Sequence, residues 1–251
     1  MSRKILFSIS ILLVATSITR GQCNFVRADR FDNIWVIHNS EVICFDKLQK
    51  KIGSYSNILL GKPSTIDVLD PFRVLVFYPS TQTVVILNNA VAEIASSVNL
   101  RSKGVNEASL VCRSSKGGFW VFDRSAWQII HYDAGFSPTG EKYNPDMQLS
   151  GSKPAFMQEY KGVLYVAFEQ KAICRFDSYG ARMGDILVKI DGGFTFWEGE
   201  LIYISEGKIF GYNLENNQTR PIGDSIGCIP VKVKGQFLYF DGSRLAVHKL
   251  Y

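Results

Sequence analysis

A strand pair that recurs along the chain is the sequence feature that most restricts the fold. Each copy begins after a turn with an aromatic-rich strand and continues into a second strand that ends in an aromatic residue, usually followed by Asp or Asn. These strand ends are Phe45-Asp46, Tyr132-Asp133, Phe176-Asp177, Tyr212-Asn213 and, at the end of the chain, Leu250-Tyr251. The copies recur roughly every 36–45 residues, which is typical of the blades of a β-propeller.

The repeat predicts an all-β chain folded as a six-bladed β-propeller with four-stranded antiparallel blades. Alternation of apolar and polar residues, which is typical of strands, places the strands of the first blade at residues 25–29, 34–38, 41–45 and 51–55. The other blades are predicted to span residues 64–95, 108–141, 155–187, 193–222 and 229–251. The outer strand of the second blade is predicted at residues 91–95.

The sixth blade is predicted to have three strands, because Tyr251 corresponds to the end of a third strand in the other repeats. Its outermost strand then has an unpaired edge. Exposed edges are usually blunted by charged residues or covered by other structure. Arg244, His248 and Lys249 would blunt this edge; the alternative is a partner protein that adds a strand to it.

The first 21 residues have the pattern of a secretory signal peptide. A basic start is followed by an apolar stretch of about 14 residues, too short for a membrane span, and cleavage is expected after Gly21. The predicted mature chain, residues 22–251, is one propeller domain without a transmembrane span. Lipidation at Cys23 is disfavoured because Gln22, directly before it, is bulky and polar.

The charge of the chain gives no support to nucleic-acid binding. The net charge is +5, but the signal peptide contains three basic residues and no acidic ones, so the mature chain carries only +2. Nucleic-acid binding would need a concentrated basic face.

The five cysteines are widely spaced, which excludes CxxC metal sites and redox motifs. Cys44 and Cys174 occupy matching strand positions in different repeats and are predicted to be core residues. Cys23 and Cys228 precede the opening strands of the first and last repeats, which a closed ring brings together. A closing disulfide between them is therefore one alternative in an exported protein, and two free thiols are the other.

The sequence contains no recognisable catalytic or metal-binding constellation. The histidines, His38, His131 and His248, lie at a strand end or on third strands, away from the inner strands. Neither a Ser-His-Asp arrangement nor a zinc site can be assembled from them, and no cofactor is predicted. The Asp and Asn of the repeated pairs are predicted to bond their own turns rather than a ligand.

The inner strands and the residues just after them supply the candidate ligand-binding residues, because propellers bind at the central funnel. The candidates are Arg27, Asp29, Asp67, Asp70, Arg113, Glu159, Trp197, Lys232 and Lys234. The alternative is that these charges only solvate a water-filled channel. Residues 134–153 form the longest predicted insertion between strands, and long loops are uncommon without a role. This loop is predicted to bind a partner through Phe136, Tyr143 and Met147.

The repeat pattern resembles the six-bladed propellers of the NHL and TolB-like kind. Residues 70–89 read DPFRVLVFYPSTQTVVILNN and are similar to a group of exported propeller proteins from Bacteroidota. This resemblance implies a periplasmic or outer-membrane-associated location and supplies no catalytic residues to carry over.

Two functions remain open from the sequence. The first is a non-enzymatic scaffold that binds another envelope protein through one face, the loop at residues 134–153 or the open edge of the last blade. The second is binding, or hydrolysis, of a carbohydrate or small polar ligand at the funnel. In that case Arg27, Asp67, Arg113 and Glu159 would provide charge, and Trp197 a plane on which a sugar stacks.

Overall fold

The computed structural model describes residues 25–250, which form a β-propeller of six antiparallel sheets. Five blades have four strands each and the last has three, as the repeat predicts. Within every blade the strands are neighbours in chain order, so that hairpins connect them. The predicted signal peptide and Cys23 lie outside the described residues.

The strands of the first three blades follow the repeat. Blade 1 contains β1 (Phe25–Ala28), β2 (Ile34–His38), β3 (Glu41–Phe45) and β4 (Lys51–Ser56). Blade 2 contains β5 (Thr65–Asp67), β6 (Val74–Tyr78), β7 (Thr83–Leu87) and β8 (Val98–Asn99). Blade 3 contains β9 (Ala108–Arg113), β10 (Phe119–Asp123), β11 (Gln128–Tyr132) and β12 (Pro138–Tyr143).

The last three blades are built in the same way. Blade 4 contains β13 (Pro154–Tyr160), β14 (Val163–Phe168), β15 (Ala172–Phe176) and β16 (Arg182–Ile186). Blade 5 contains β17 (Phe194–Trp197), β18 (Glu200–Ser205), β19 (Lys208–Asn213) and β20 (Thr219–Asp224). Blade 6 contains β21 (Val231–Val233), β22 (Gln236–Phe240) and β23 (Leu245–His248). The 3-10 helices of residues 25–250, Leu100–Lys103 and Met147–Leu149, are far too short to cross a membrane.

The hydrophobic core lies between the blades rather than inside any one of them. All five residues of β6 and of β10 are buried, because each sheet packs both of its faces against neighbouring sheets. Trp35 of blade 1 packs in one cluster with Val76 of blade 2. Val36 of blade 1 packs with Val231 and Leu238 of blade 6. The ring is therefore closed by apolar contacts between the first and last blades.

The inner strands β1, β5, β9, β13, β17 and β21 surround the central axis. We call the face at which these strands end the funnel face, and the face at which they begin the opposite face. In blades 1 to 5, the Asp or Asn after the third strand accepts backbone N–H groups of its own turn, as predicted. These residues are Asp46, Asn88, Asp133, Asp177 and Asn213.

The outer strand predicted at residues 91–95 is wrong. The outer strand of blade 2 is Val98–Asn99 instead, paired with Thr83 and Val84. The side chain of Asn88 accepts the N–H groups of residues 90 and 92, and the backbone of Val91 is left-handed, with φ of 64°. After this turn the chain makes an isolated bridge between Glu93 and Leu87, and its ladder with β7 begins only at Val98.

The prediction that residues 134–153 form one long loop is also wrong, because β12 occupies Pro138–Tyr143. Phe136 packs against Phe119, with ring centroids 4.8 Å apart, and is buried. Tyr143 is buried against Trp120, at 4.7 Å. The insertion supplies aromatic side chains to the cores on both sides of blade 3, and Met147, 68% exposed, lies on the opposite face.

Candidate functional site

A cavity of about 340 Å³ opens between the inner strands at the funnel face. Most of its charged lining residues come from blade 1, and all of its aromatic lining residues come from blades 4 and 5. The residues used below are Arg27, Asp29, Asp67, Tyr160, Phe196, Trp197 and Lys232. A second cavity, of about 240 Å³, opens toward the opposite face. Arg27 and Phe156 line both cavities and therefore lie between them.

Arg27, on β1, is held in place by the inner strands. Its guanidinium group donates to the carbonyl oxygen of Val26 at 3.0 Å and to that of Phe194 at 3.1 Å. Its carbon Cζ lies 4.1 Å from the ring centroid of Phe25 and 4.7 Å from that of Phe156, within the range of cation–π attraction. Burial, opposed by the negative charge of Asp67, lowers the pKa of Arg27 to about 10.

Asp67, at the end of β5, presents its carboxylate to the same cavity. One carboxylate oxygen accepts the N–H of Leu69 at 2.9 Å, and the other accepts the N–H of Arg113 at 3.0 Å. Burial raises the pKa of Asp67, although these hydrogen bonds and the charges of Arg113 and Arg27 oppose the shift. Asp67 and Arg27 form no ion pair with each other.

Aromatic rings form the opposite wall of the cavity. Tyr160 and Phe196 stack with their centroids 4.1 Å apart and their planes 6° from parallel. Trp197 contacts Phe237 at 4.8 Å and separates the cavity from a polar groove of about 330 Å³. Lys232 pairs with Glu198 at the rim. The cavity therefore offers a flat apolar surface facing charged groups, an arrangement suited to a ligand with both characters.

Five of the predicted ligand-binding residues line the cavity: Arg27, Asp29, Asp67, Trp197 and Lys232. The carboxylate of Asp29 is already occupied, because it accepts N–H groups from the backbone of Phe31, from the backbone and side chain of Asn33, and from the indole of Trp35.

The remaining predicted residues are used elsewhere. Glu159 is buried between blades 3 and 4, where it accepts the indole N–H of Trp120 at 2.9 Å and the N–H and hydroxyl of Ser115. Arg113 pairs with Asp70 at 3.7 Å, between the inner strand of blade 3 and the first turn of blade 2. Lys234 is exposed in the β21–β22 turn, with φ of 48°.

An exposed apolar patch lies beside the cavity on the funnel face. Phe31 and Phe72, 46% and 49% exposed, meet edge to face with centroids 5.7 Å apart. Arg30 lies over both rings, at 5.1 Å and 5.8 Å from their centroids, and it forms no ion pair within residues 25–250. Leu69, at the rim of the cavity, is also exposed. We call Arg30, Phe31, Leu69 and Phe72 the aromatic patch.

The histidines, and the cysteines within residues 25–250, lie outside this site. The imidazole nitrogens of His131 contact the hydroxyl of Thr139 and the carbonyl of Gly117, and His248 contacts a backbone carbonyl of blade 5. Cys44, Cys112 and Cys174 are free, buried thiols, and burial raises the pKa of Cys44 and Cys174 to about 12. Cys228 is disulfide-bonded; its predicted partner Cys23 lies outside the described residues.

Apart from Trp197, the aromatic side of the site was not predicted from the sequence. Tyr160 and Phe196 are inner-strand residues next to the predicted Glu159 and Trp197, but as uncharged aromatic residues they resemble ordinary core residues. An aromatic residue at the end of an inner strand in two successive repeats would have been the signal. The pairing of Phe31 with Phe72 joins the first turns of two blades, and no local pattern in the sequence indicates it.

No family model matches the chain, and no curated protein matches it. Among solved structures it is similar to virginiamycin B lyase from Staphylococcus aureus, with a TM-score of 0.58 and 12% identity over 88% of this chain and 78% of the lyase. It is also similar to the Neurospora crassa Pan2 WD40 domain, with a TM-score of 0.57 and 11% identity over 90% and 78% of the two chains.

A third similar structure is a protein of unknown function from Bacteroides caccae, with a TM-score of 0.53 and 12% identity over 76% of this chain and 73% of the other. At these identities the likeness shows the propeller fold alone. Because the fold occurs in a lyase and in a WD40 domain, it does not select an activity. Membership of the Bacteroidota group predicted from residues 70–89 stays a prediction.

Proposed function

We propose that the protein is a non-enzymatic binding module of the cell envelope that docks a partner protein on its funnel face. The observation that carries this proposal is the aromatic patch, in which two exposed phenylalanines meet across blades 1 and 2 with an arginine over their rings. Aromatic residues and Arg are enriched in the centres of protein interfaces, where they provide much of the binding energy.

The position of the patch also supports docking. It lies next to the charged rim of the cavity, and exposed apolar groups with a polar surround are typical of interaction sites. Arg30 has no acidic partner within the described chain, so its charge is available to a carboxylate of the partner. We therefore expect the partner to present an apolar side chain next to an acidic one.

The occupied histidines support a binding role rather than catalysis. His131 has both ring nitrogens in contact with structural groups, and it lies on β11, away from the funnel. The aromatic and charged side chains of the funnel face are suited to binding a partner without catalysing a reaction on it. The envelope location is supported by the predicted signal peptide at residues 1–21.

Capture from envelope extracts tests the proposal with matched variants. The wild type is expected to retain a stoichiometric partner, and the double variant Phe31→Ser/Phe72→Ser to lose it. The control Ile58→Ser/Leu59→Ser removes more exposed apolar residues, 92% and 83% accessible, from the opposite face and is expected to retain it. Loss by the control alone, or recovery of a lone monomer with the wild type, would contradict docking on the funnel face.

A further inference from the structure

Two groups of opposite charge, the buried Arg27 and the half-buried Asp67, share the funnel cavity without pairing directly. Arg27 and Asp67 both line it, and each responds to the charge of the other. They are not close enough to form an ion pair, although direct pairing is the usual way to stabilise buried charges. The space between them is therefore open to a molecule that can contact both.

Arg27 lines the cavity and retains hydrogen-bonding capacity. Its contacts with two backbone carbonyls use two of the five N–H groups of a guanidinium. The rings of Phe25 and Phe156 restrain its orientation. A guanidinium fixed in this way is a ready partner for a carboxylate, which accepts two parallel N–H bonds.

Asp67 retains capacity as well. Each of its oxygens accepts one backbone N–H, whereas an ionised carboxylate has about four acceptor positions. The guanidinium of Arg113 forms its ion pair with Asp70, acts on Asp67 through its charge alone, and does not line the cavity. An ammonium group in the cavity would add the charge-assisted hydrogen bonds that Asp67 lacks.

The other charged groups of the cavity already have partners within the protein or lie at the rim of the cavity. Asp29 accepts four N–H groups, and Lys232 pairs with Glu198. Asp32 also lines the cavity, from the β1–β2 turn at the funnel face. Arg30 is exposed and belongs to the aromatic patch. Arg27 and Asp67 are therefore the pair that a ligand in the cavity would meet.

We infer that the cavity binds a dipolar small molecule of the amino-acid or short-peptide class, with its carboxylate on Arg27 and its ammonium on Asp67. An apolar side chain of the ligand would lie on the rings of Tyr160 and Phe196. The cavity of about 340 Å³ is at the small end of ligand sites. A neutral sugar fits the surface of the rings but brings neither a carboxylate to Arg27 nor an ammonium to Asp67, so it is the less suitable ligand.

Isothermal titration calorimetry on the mature protein tests this inference with chemically matched probes. Phenylalanine and alanyl-phenylalanine are the dipolar probes; N-acetylated and C-amidated forms of the same molecules each remove one charge, and cellobiose is the neutral sugar. At least one dipolar probe is expected to bind, and each capped form of it to bind at least tenfold more weakly. Equal binding of capped and uncapped forms, stronger binding of cellobiose, or binding of no probe would overturn the inference.

Variants locate the site and separate this inference from partner docking. Asp67→Asn is expected to weaken binding of the dipolar probe at least tenfold. Asp46→Asn, which changes a half-buried turn aspartate on the same face, is expected to leave the affinity unchanged. The probe comparison within the wild type does not depend on how Asp67→Asn folds. The Phe31→Ser/Phe72→Ser variant is expected to keep probe binding while losing the partner, so either proposal can fail without the other.

Discussion

Replacing Glu159 by Gln is expected to lower the free energy of unfolding by about 2–4 kcal/mol. One carboxylate oxygen accepts the indole N–H of Trp120 at 2.9 Å, and the other accepts the N–H of Ser115 at 3.2 Å together with its hydroxyl. Gln keeps one acceptor oxygen and places an NH₂ donor against the second set of donors. A buried donor left without an acceptor costs about 1–3 kcal/mol, and the surviving bond loses the strengthening effect of the negative charge.

Equilibrium unfolding in urea, followed by tryptophan fluorescence, measures this loss, provided that the transition is two-state and the m value is unchanged. The matched control is Glu169→Gln, which removes an exposed pair with Lys153 at 2.7 Å and is expected to cost less than about 1 kcal/mol. If both variants unfold with the same free energy, the reasoning fails. Glu159 would then not link blades 3 and 4, and its role as a ligand-binding residue would be open again.

Three further predictions concern the turns, the pH dependence and the cysteines. Gly118→Ala should cost more than about 3 kcal/mol in urea unfolding, because its Cβ would overlap a backbone carbonyl, whereas Gly117→Ala, also left-handed but with free space, should cost about 1–2 kcal/mol. Burial alone would raise the pKa of Asp123, but its hydrogen bonds lower it overall. Its stabilising effect is therefore complete above the ordinary carboxyl pKa of about 3.9 and is lost below it, so thermal melts of Asp123→Asn should depend less on pH between about 5 and 3. Non-reducing peptide mapping should recover a peptide that links Cys23 to Cys228, and a free thiol at Cys228 would contradict this pairing.

The fold could be predicted from the sequence because each blade is encoded locally. Strand alternation and the Asp or Asn of each turn lie within a few residues of one another, so the blades and their turns follow directly. The outer strand at 91–95 was wrong because a left-handed Val91 is not evident from its residue type. The segment at residues 134–153 was misread because its aromatic residues pack against partners in other blades, such as Phe176 with Tyr143.

The site was only partly predictable, because what a carboxylate can do depends on how many donors already surround it. Asp29, Asp67 and Glu159 all follow or occupy inner strands, and their positions in the repeat do not distinguish their roles. Asp29 and Glu159 accept tryptophan indoles together with other donors, and this fixes turns and neighbouring blades in place. Asp67 accepts one backbone N–H on each oxygen and faces the cavity with the buried cation of Arg27. Because a ligand needs a group with remaining capacity, the funnel can recognise a positive charge through Asp67 but not through the other two.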